Sequence, residues 1–170
     1  MRVVAGVAGG RKLQAPAGKD IRPTSDRVRE AIFSSLESMN AVHGASVLDL
    51  FCGSGALGIE ALSRGAASAT FVDDDPAAIA AVRANLASTG LEGGAVVRAD
   101  AVRWLEGGAA FDLALVDPPY FFNGWDDVFS RLCAKVVVAE SDRDLDIPSG
   151  WLIVRRKRYG GTVVHLVAGE

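Results

Sequence analysis

Apolar positions along the chain change period several times, and each change predicts an element. Val28, Ile32, Leu36 and Met39 recur near helical spacing. They follow Thr24, Ser25 and Asp26, all able to cap a helix, so residues 25–39 read as an amphipathic helix. The apolar run Val47–Phe51 then reads as a strand entering a glycine-rich turn, and residues 56–64 as a helix. Ala69–Asp73 is a strand. Pro76–Ser88 is an Ala-rich helix with Asp75 as cap and Pro76 in the first turn. Strands follow at Ala95–Asp100, Phe111–Asp117 and Lys135–Glu140, separated by a short helix through Trp104 and another near 125–133. Alternation of this kind implies βαβ units and a mostly parallel sheet with helices on both faces. The end differs: Trp151–Val154 and Thr162–Val167 flank Tyr159-Gly160-Gly161, which predicts an antiparallel hairpin. Residues 1–24, rich in Gly, Arg and Pro, read as a short basic arm or hairpin on one domain over 25–170.

The size fits one such domain. A chain of 170 residues, 49% hydrophobic and 23% charged, is ordinary globular composition. No apolar run reaches the ~18 residues of a membrane span, and Arg11-Lys12 comes too early for a signal-peptide core. Cys52 and Cys133 have no CxxC companion, so neither a disulfide framework nor a Cys-rich zinc site is expected, and the cytoplasm is. No metal is expected, and a monomer is the default.

Charge is uneven. The net charge is −3, but residues 1–30 carry +4, residues 31–150 carry −10 and residues 151–170 carry +3. Two basic ends on an acidic body leave nucleic acid open as a partner, because phosphate binding needs a local patch.

Gly53-Ser54-Gly55-Ala-Leu-Gly58 lies between a strand and a helix, and Asp73 follows Gly53 by 20 residues. That is a nucleotide-cofactor loop with a carboxylate placed for ribose hydroxyls. Asp49, four residues before Gly53, would repel a pyrophosphate. It suits a ligand with an ammonium, a sulfonium and no phosphate, which describes S-adenosylmethionine. Asp100, ending the third strand, either accepts from an adenine amino group or caps the next helix. Asp75 reads as a cap, and Asp74 can serve either way.

Asp117-Pro118-Pro119-Tyr120 follows the fourth strand. Sites of open α/β sheets lie at the carboxyl ends of strands, so this loop belongs beside the glycine loop. Two prolines fix the backbone and leave carbonyl acceptors beside a carboxylate and an aromatic face. That set suits a flat ring with an exocyclic NH2, whose lone pair needs turning toward a methyl donor.

The tetrad resembles the motif of amino methyltransferases that act on adenine N6, cytosine N4, guanine N2 or glutamine amides. Val3–Leu13, Arg22–Phe33 and Val47–Gly65 resemble the RsmD-type bacterial 16S rRNA (guanine-N2)-methyltransferases, closely to about residue 120. The resemblance implies a single Rossmann-like class I methyltransferase domain, with a seven-stranded sheet and S-adenosyl-L-methionine as cofactor. It implies methylation of guanine N2 at position 966, in the usual numbering, of 16S rRNA in the assembled or late-assembly 30S subunit. Carried over by motif, Asp49, Gly53 and Gly55 surround the methionine part, Asp73 holds the ribose, and Asp100 with Ala101 the adenine. Phe51, Ser54 and Asp74 are also expected at the cofactor. Asp117, Pro118, Pro119 and Tyr120 hold the amine. Arg22 and Thr24 close over the site, while Arg11, Arg27 and Arg29 face RNA phosphates and Phe121 the substrate. The stretch 121–134 is short for the family.

Two other readings use the same residues. A DNA adenine-N6 methyltransferase shares the tetrad, but 170 residues leave no room for a target-recognition domain. An NAD-dependent oxidoreductase shares the glycine loop, but Asp49 opposes it. His43 and His165 read as surface or satisfied histidines, Trp104 and Trp151 as packing residues, and Trp125 and Phe122 as packing or base-stacking ones.

Overall fold

The computed structural model describes residues 1–18 and 24–170. Seven strands and five helices alternate as the pattern predicts. They are α1 (Asp26–Ser38), β1 (Ser46–Leu50), α2 (Ala56–Ser63), β2 (Ser68–Asp73), α3 (Pro76–Thr89) and β3 (Gly94–Arg98). Then come α4 (Ala101–Trp104), β4 (Ala110–Val116), α5 (Trp125–Arg131), β5 (Cys133–Ser141), β6 (Trp151–Tyr159) and β7 (Thr162–Gly169). The sheet order is β3-β2-β1-β4-β5-β7-β6. The first five strands are parallel, and β7 runs antiparallel between β5 and β6.

Local chemistry explains the boundaries. Ser25 Oγ accepts the Val28 N–H and starts α1, and Asp75 Oδ1 accepts the Ala77 N–H and starts α3. The central strands are buried on both faces, which is why they read as unbroken apolar runs. One core lies between the sheet and α1, α2 and α3, around Phe33, Ile59 and Phe71. The other lies under α4 and α5, around Leu50, Val116 and Trp125.

The N-terminal segment is a small hairpin, with Val3 N–H donating to Arg11 O at 2.9 Å and Leu13 N–H to Met1 O at 2.9 Å. It is sewn onto the domain. Glu60 accepts the N–H groups of Val4 and Ala5 at 2.8 and 3.0 Å. Asn85 exchanges two bonds with the Gln14 backbone. Val3, Ala8 and Leu13 are buried.

Chain direction matters most for the site. From β1 the chain moves outward to β2 and β3, then returns to lay β4 on the other side of β1. The gap between the loops leaving β1 and β4 is therefore a topological switch point, where open α/β sheets bind ligands.

Candidate active site

A cleft of about 2000 Å3, its open mouth included, lies at this switch point. Asp49, Phe51, Gly53, Ser54, Asp73 and Asp74 line it from the ends of β1 and β2 and the loops after them. Asp117, Pro118, Pro119 and Tyr120 line it from the loop after β4. These expected cofactor and amine residues thus line one cavity. Thr24 closes it from the side of α1. Arg22, expected beside Thr24, lies outside the described residues.

The glycine loop works by two devices. Gly53 takes φ +54° with open space where a Cβ would be, and its N–H donates to Asp73 Oδ2 at 2.9 Å. Gly58 does the reverse: a Cβ there would stand 2.4 Å from Phe71 Cε1, so this glycine brings α2 down onto β2. Its N–H donates to Asp49 Oδ2 at 2.9 Å. Gly55, expected against the cofactor, instead starts α2 and faces Val82 and Phe71.

The cleft is strongly acidic. Burial pushes the Asp49 carboxyl well above the ordinary carboxylate range, the Gly58 N–H opposes this, and Asp117 and Asp73 add to it. Burial pushes the Cys52 thiol up, with Asp49 and Asp73 reinforcing. Such a floor disfavours a phosphate and favours a cation. An ammonium and a sulfonium fit it, and Asp73 keeps lone pairs for ribose hydroxyls after accepting from Gly53 and Asp75.

On the amine side, burial pushes the Asp117 carboxyl up to about 6, against the hydrogen bond from Thr24. Tyr120 is half-exposed over the mouth, and Phe121 next to it is 82% exposed with φ +65°. Phe122 turns inward instead, packing edge-on against Phe51 and Trp125.

Three further expectations are placed differently by the structure. Arg29 does not face RNA: its side chain is fully buried and bonded to Asp26 and to the Arg2 carbonyl. It lies on the inner stripe of α1 with Ile32, Phe33 and Leu36. Asp100 is exposed and caps α4, accepting the Arg103 N–H at 2.9 Å, and it does not line the cleft. Ala101 is buried in the core under α4 rather than at the cleft. Arg11 and Arg27 are exposed, as RNA contacts require.

Sequence reading missed Glu140. It ends the apolar run of β5, is 3% exposed and lines the cleft. The β4–β5 register brings it there: Val116 pairs with Ala139, so Asp117 and Glu140 follow side by side on adjacent strands. His165 is a satisfied core histidine, accepting the Leu145 N–H at Nε2 and facing Ala139 O with Nδ1. Among the described residues no His, Cys, Asp and Glu cluster could hold a metal ion. No helix there is long and apolar enough to cross a membrane.

The family described as Conserved hypothetical protein 95 matches residues 1–168. The chain belongs to this family, the RsmD family. It is 40% identical to YlbH of Bacillus subtilis, over 98% of this chain and 97% of that protein. It is 34% identical to the Ribosomal RNA small subunit methyltransferase D of Escherichia coli, over 100% and 90% of the two chains. The solved structure of Escherichia coli yhhF superposes with a TM-score of 0.89 at 34% identity, covering 100% of this chain and 98% of that one. The RsmD fold here is Rossmann-like, with the C-terminal hairpin added at the sheet edge.

Proposed function

We propose that this RsmD-family chain is an S-adenosylmethionine-dependent rRNA methyltransferase that modifies the exocyclic N2 of one guanine in 16S rRNA within the small ribosomal subunit. One observation carries the reading: Asp117-Pro118-Pro119-Tyr120 lines the same cleft as Asp49, Gly53 and Asp73. On this reading an amine acceptor site and a cation site share one cavity. The relatives' names add rRNA as the substrate class.

S-adenosylmethionine, when bound, supplies an electrophilic methyl on a sulfonium. The chain's own residues do the rest. Asp49 and Asp73 bind the cationic and ribose ends. Asp117 and the Pro118 carbonyl accept the two N–H bonds of the amine and turn its lone pair across the cleft. Tyr120 stacks on the base, which must leave its helix to reach this depth. Holding two reactants in line supplies on the order of 7–11 kcal/mol of barrier reduction.

The test uses radiolabelled S-adenosylmethionine with undermethylated 30S subunits, naked rRNA and duplex DNA in parallel, followed by nucleoside mass analysis. N2-methylguanosine from the 30S sample is expected. N6-methyladenine from DNA would overturn the substrate.

A further inference from the structure

Glu140 is the one buried carboxyl of the cleft that the proposed reaction leaves without a task. Its Oε2 lies 2.9 Å from Thr24 Oγ1, and the same Oγ1 lies 3.4 Å from Asp117 Oδ2. Its Oε1 is buried and has no hydrogen-bond partner among the described residues. Facing it are Asp117 from the end of β4, Asp49 from β1 and Arg29 from α1.

A hydroxyl has one hydrogen to give. Thr24 stands between two carboxyls and can donate to only one of them. Both contacts are satisfied only if the other carboxyl carries a proton and donates to Thr24. Glu140 is the deeper of the two. An ionised oxygen buried without a donor is costly, and the carbonyl oxygen of a neutral acid much less so.

We propose that Glu140 is a neutral carboxylic acid that donates Oε2–H to Thr24, so that Thr24 donates to Asp117 and holds it as the ionised acceptor for the target amine. Glu140 is then a positioning residue, acting through Thr24. This role rests on the reading that Asp117 receives the amine. The electrostatics agree in direction: burial first, then the negative Asp117, push the Glu140 carboxyl well above the ordinary range, against Thr24 and Arg29. Asp117 is raised to about 6 and so ionises at neutral pH.

The chemistry of glutamine makes the proposal testable, because its amide copies a neutral acid: one donor toward Thr24, one carbonyl toward Oε1's place. Glu140→Gln should keep kcat within about threefold, while Glu140→Ala and Thr24→Val lose about tenfold or more, the scale of one hydrogen bond to a charged group. Thr24→Ser should restore it. The wild-type rate should fall on the alkaline side, where Glu140 ionises, and Glu140→Gln should lack that limb. Carbon-13 NMR of the glutamate carboxyls in the free protein should show one group titrating far above the rest, absent from Glu140→Gln. Glutamate carboxyls that all titrate in the ordinary range overturn the proposal. So does a Glu140→Gln enzyme as impaired as Glu140→Ala with cofactor binding intact. Turnover surviving in Asp117→Ala would instead overturn the amine site itself, and this role for Glu140 with it.

Discussion

Arg29 Nε stands 3.7 Å from Glu60 Oε2, and both side chains are sealed from solvent. Glu60 also accepts from Arg64 Nε at 2.9 Å and from the Val4 and Ala5 N–H groups. One buried carboxylate therefore ties the N-terminal hairpin to α1 and α2. Removing one side of a buried pair leaves an uncompensated charge. Arg29→Ala should cost about 3 kcal/mol or more. A urea midpoint shift in a two-state unfolding experiment measures it. A midpoint within error of wild type would mean that Arg64 alone satisfies Glu60.

Asp117→Ala removes an acceptor that acts on the amine and leaves the glycine loop and Asp73 in place. S-adenosylhomocysteine affinity by calorimetry should stay within a few fold, while kcat falls by about 100-fold or more, the scale of losing one preorganised polar group at a reacting centre. Turnover near wild type would remove Asp117 from the reaction.

The pH dependence follows from the same carboxyl, in two directions. Activity needs Asp117 ionised, so kcat/KM should fall as pH drops through about 6. Stability runs the other way. The carboxyl is raised from 3.8 by burial, so its favourable contribution is whole below that value and lost as pH rises through about 6. Urea midpoints should therefore decline over this window, and Asp117→Asn should make the decline shallower, the buried carboxyls of Asp49 and Glu140 supplying the rest. A midpoint flat across the window in wild type would show that Asp117 is not desolvated.

Much of this site was legible because parallel βα units place strand-end loops side by side. Once Val47–Phe51 and Phe111–Asp117 are strands, their loops must meet at the switch point. What escaped detection did so for physical reasons. Arg29 carries a charge, but it shares the 29, 32, 33, 36 stripe that α1 buries, and periodicity outranks residue type there. Asp100 fits both a ligand contact and a helix cap, and the Arg103 N–H on its Oδ1 shows the cap. Glu140 was hidden by its neighbours. Lys135–Glu140 reads as an ordinary buried strand until the β4–β5 register puts its carboxyl next to Asp117.

The two glycines of the loop should respond differently to alanine. At Gly58 the new methyl meets Phe71 at 2.4 Å and Asp49 Oδ2 at 3.0 Å. Overpacking there should cost about 1–3 kcal/mol and weaken cofactor binding by displacing Asp49. At Gly53 the methyl meets open space and only the φ of +54° resists it, at about 1 kcal/mol. Denaturation and S-adenosylhomocysteine titration of both variants check the contrast. Equal losses of stability would mean that α2 can shift away from β2 without strain.

Arginines that contact rRNA phosphates can be told from those that hold the fold by salt dependence. Arg27 is exposed on the first turn of α1, and Arg11 is exposed, its guanidinium in long contact with Ser88 O at 3.4 Å. Each phosphate contact releases condensed counterion, so Arg11→Ala and Arg27→Ala should each lower the slope of log K against log salt by about one. Arg29→Ala removes a buried cation, and of its ion-pair partners only Asp26 faces solvent. It should leave the slope unchanged at temperatures where the variant is folded, despite its lower stability. The measurement is 30S binding across a salt series, with unfolding curves for each variant alongside. A slope lowered by Arg29→Ala alone would put the RNA path over the inner face of α1, which its burial against Glu60 forbids.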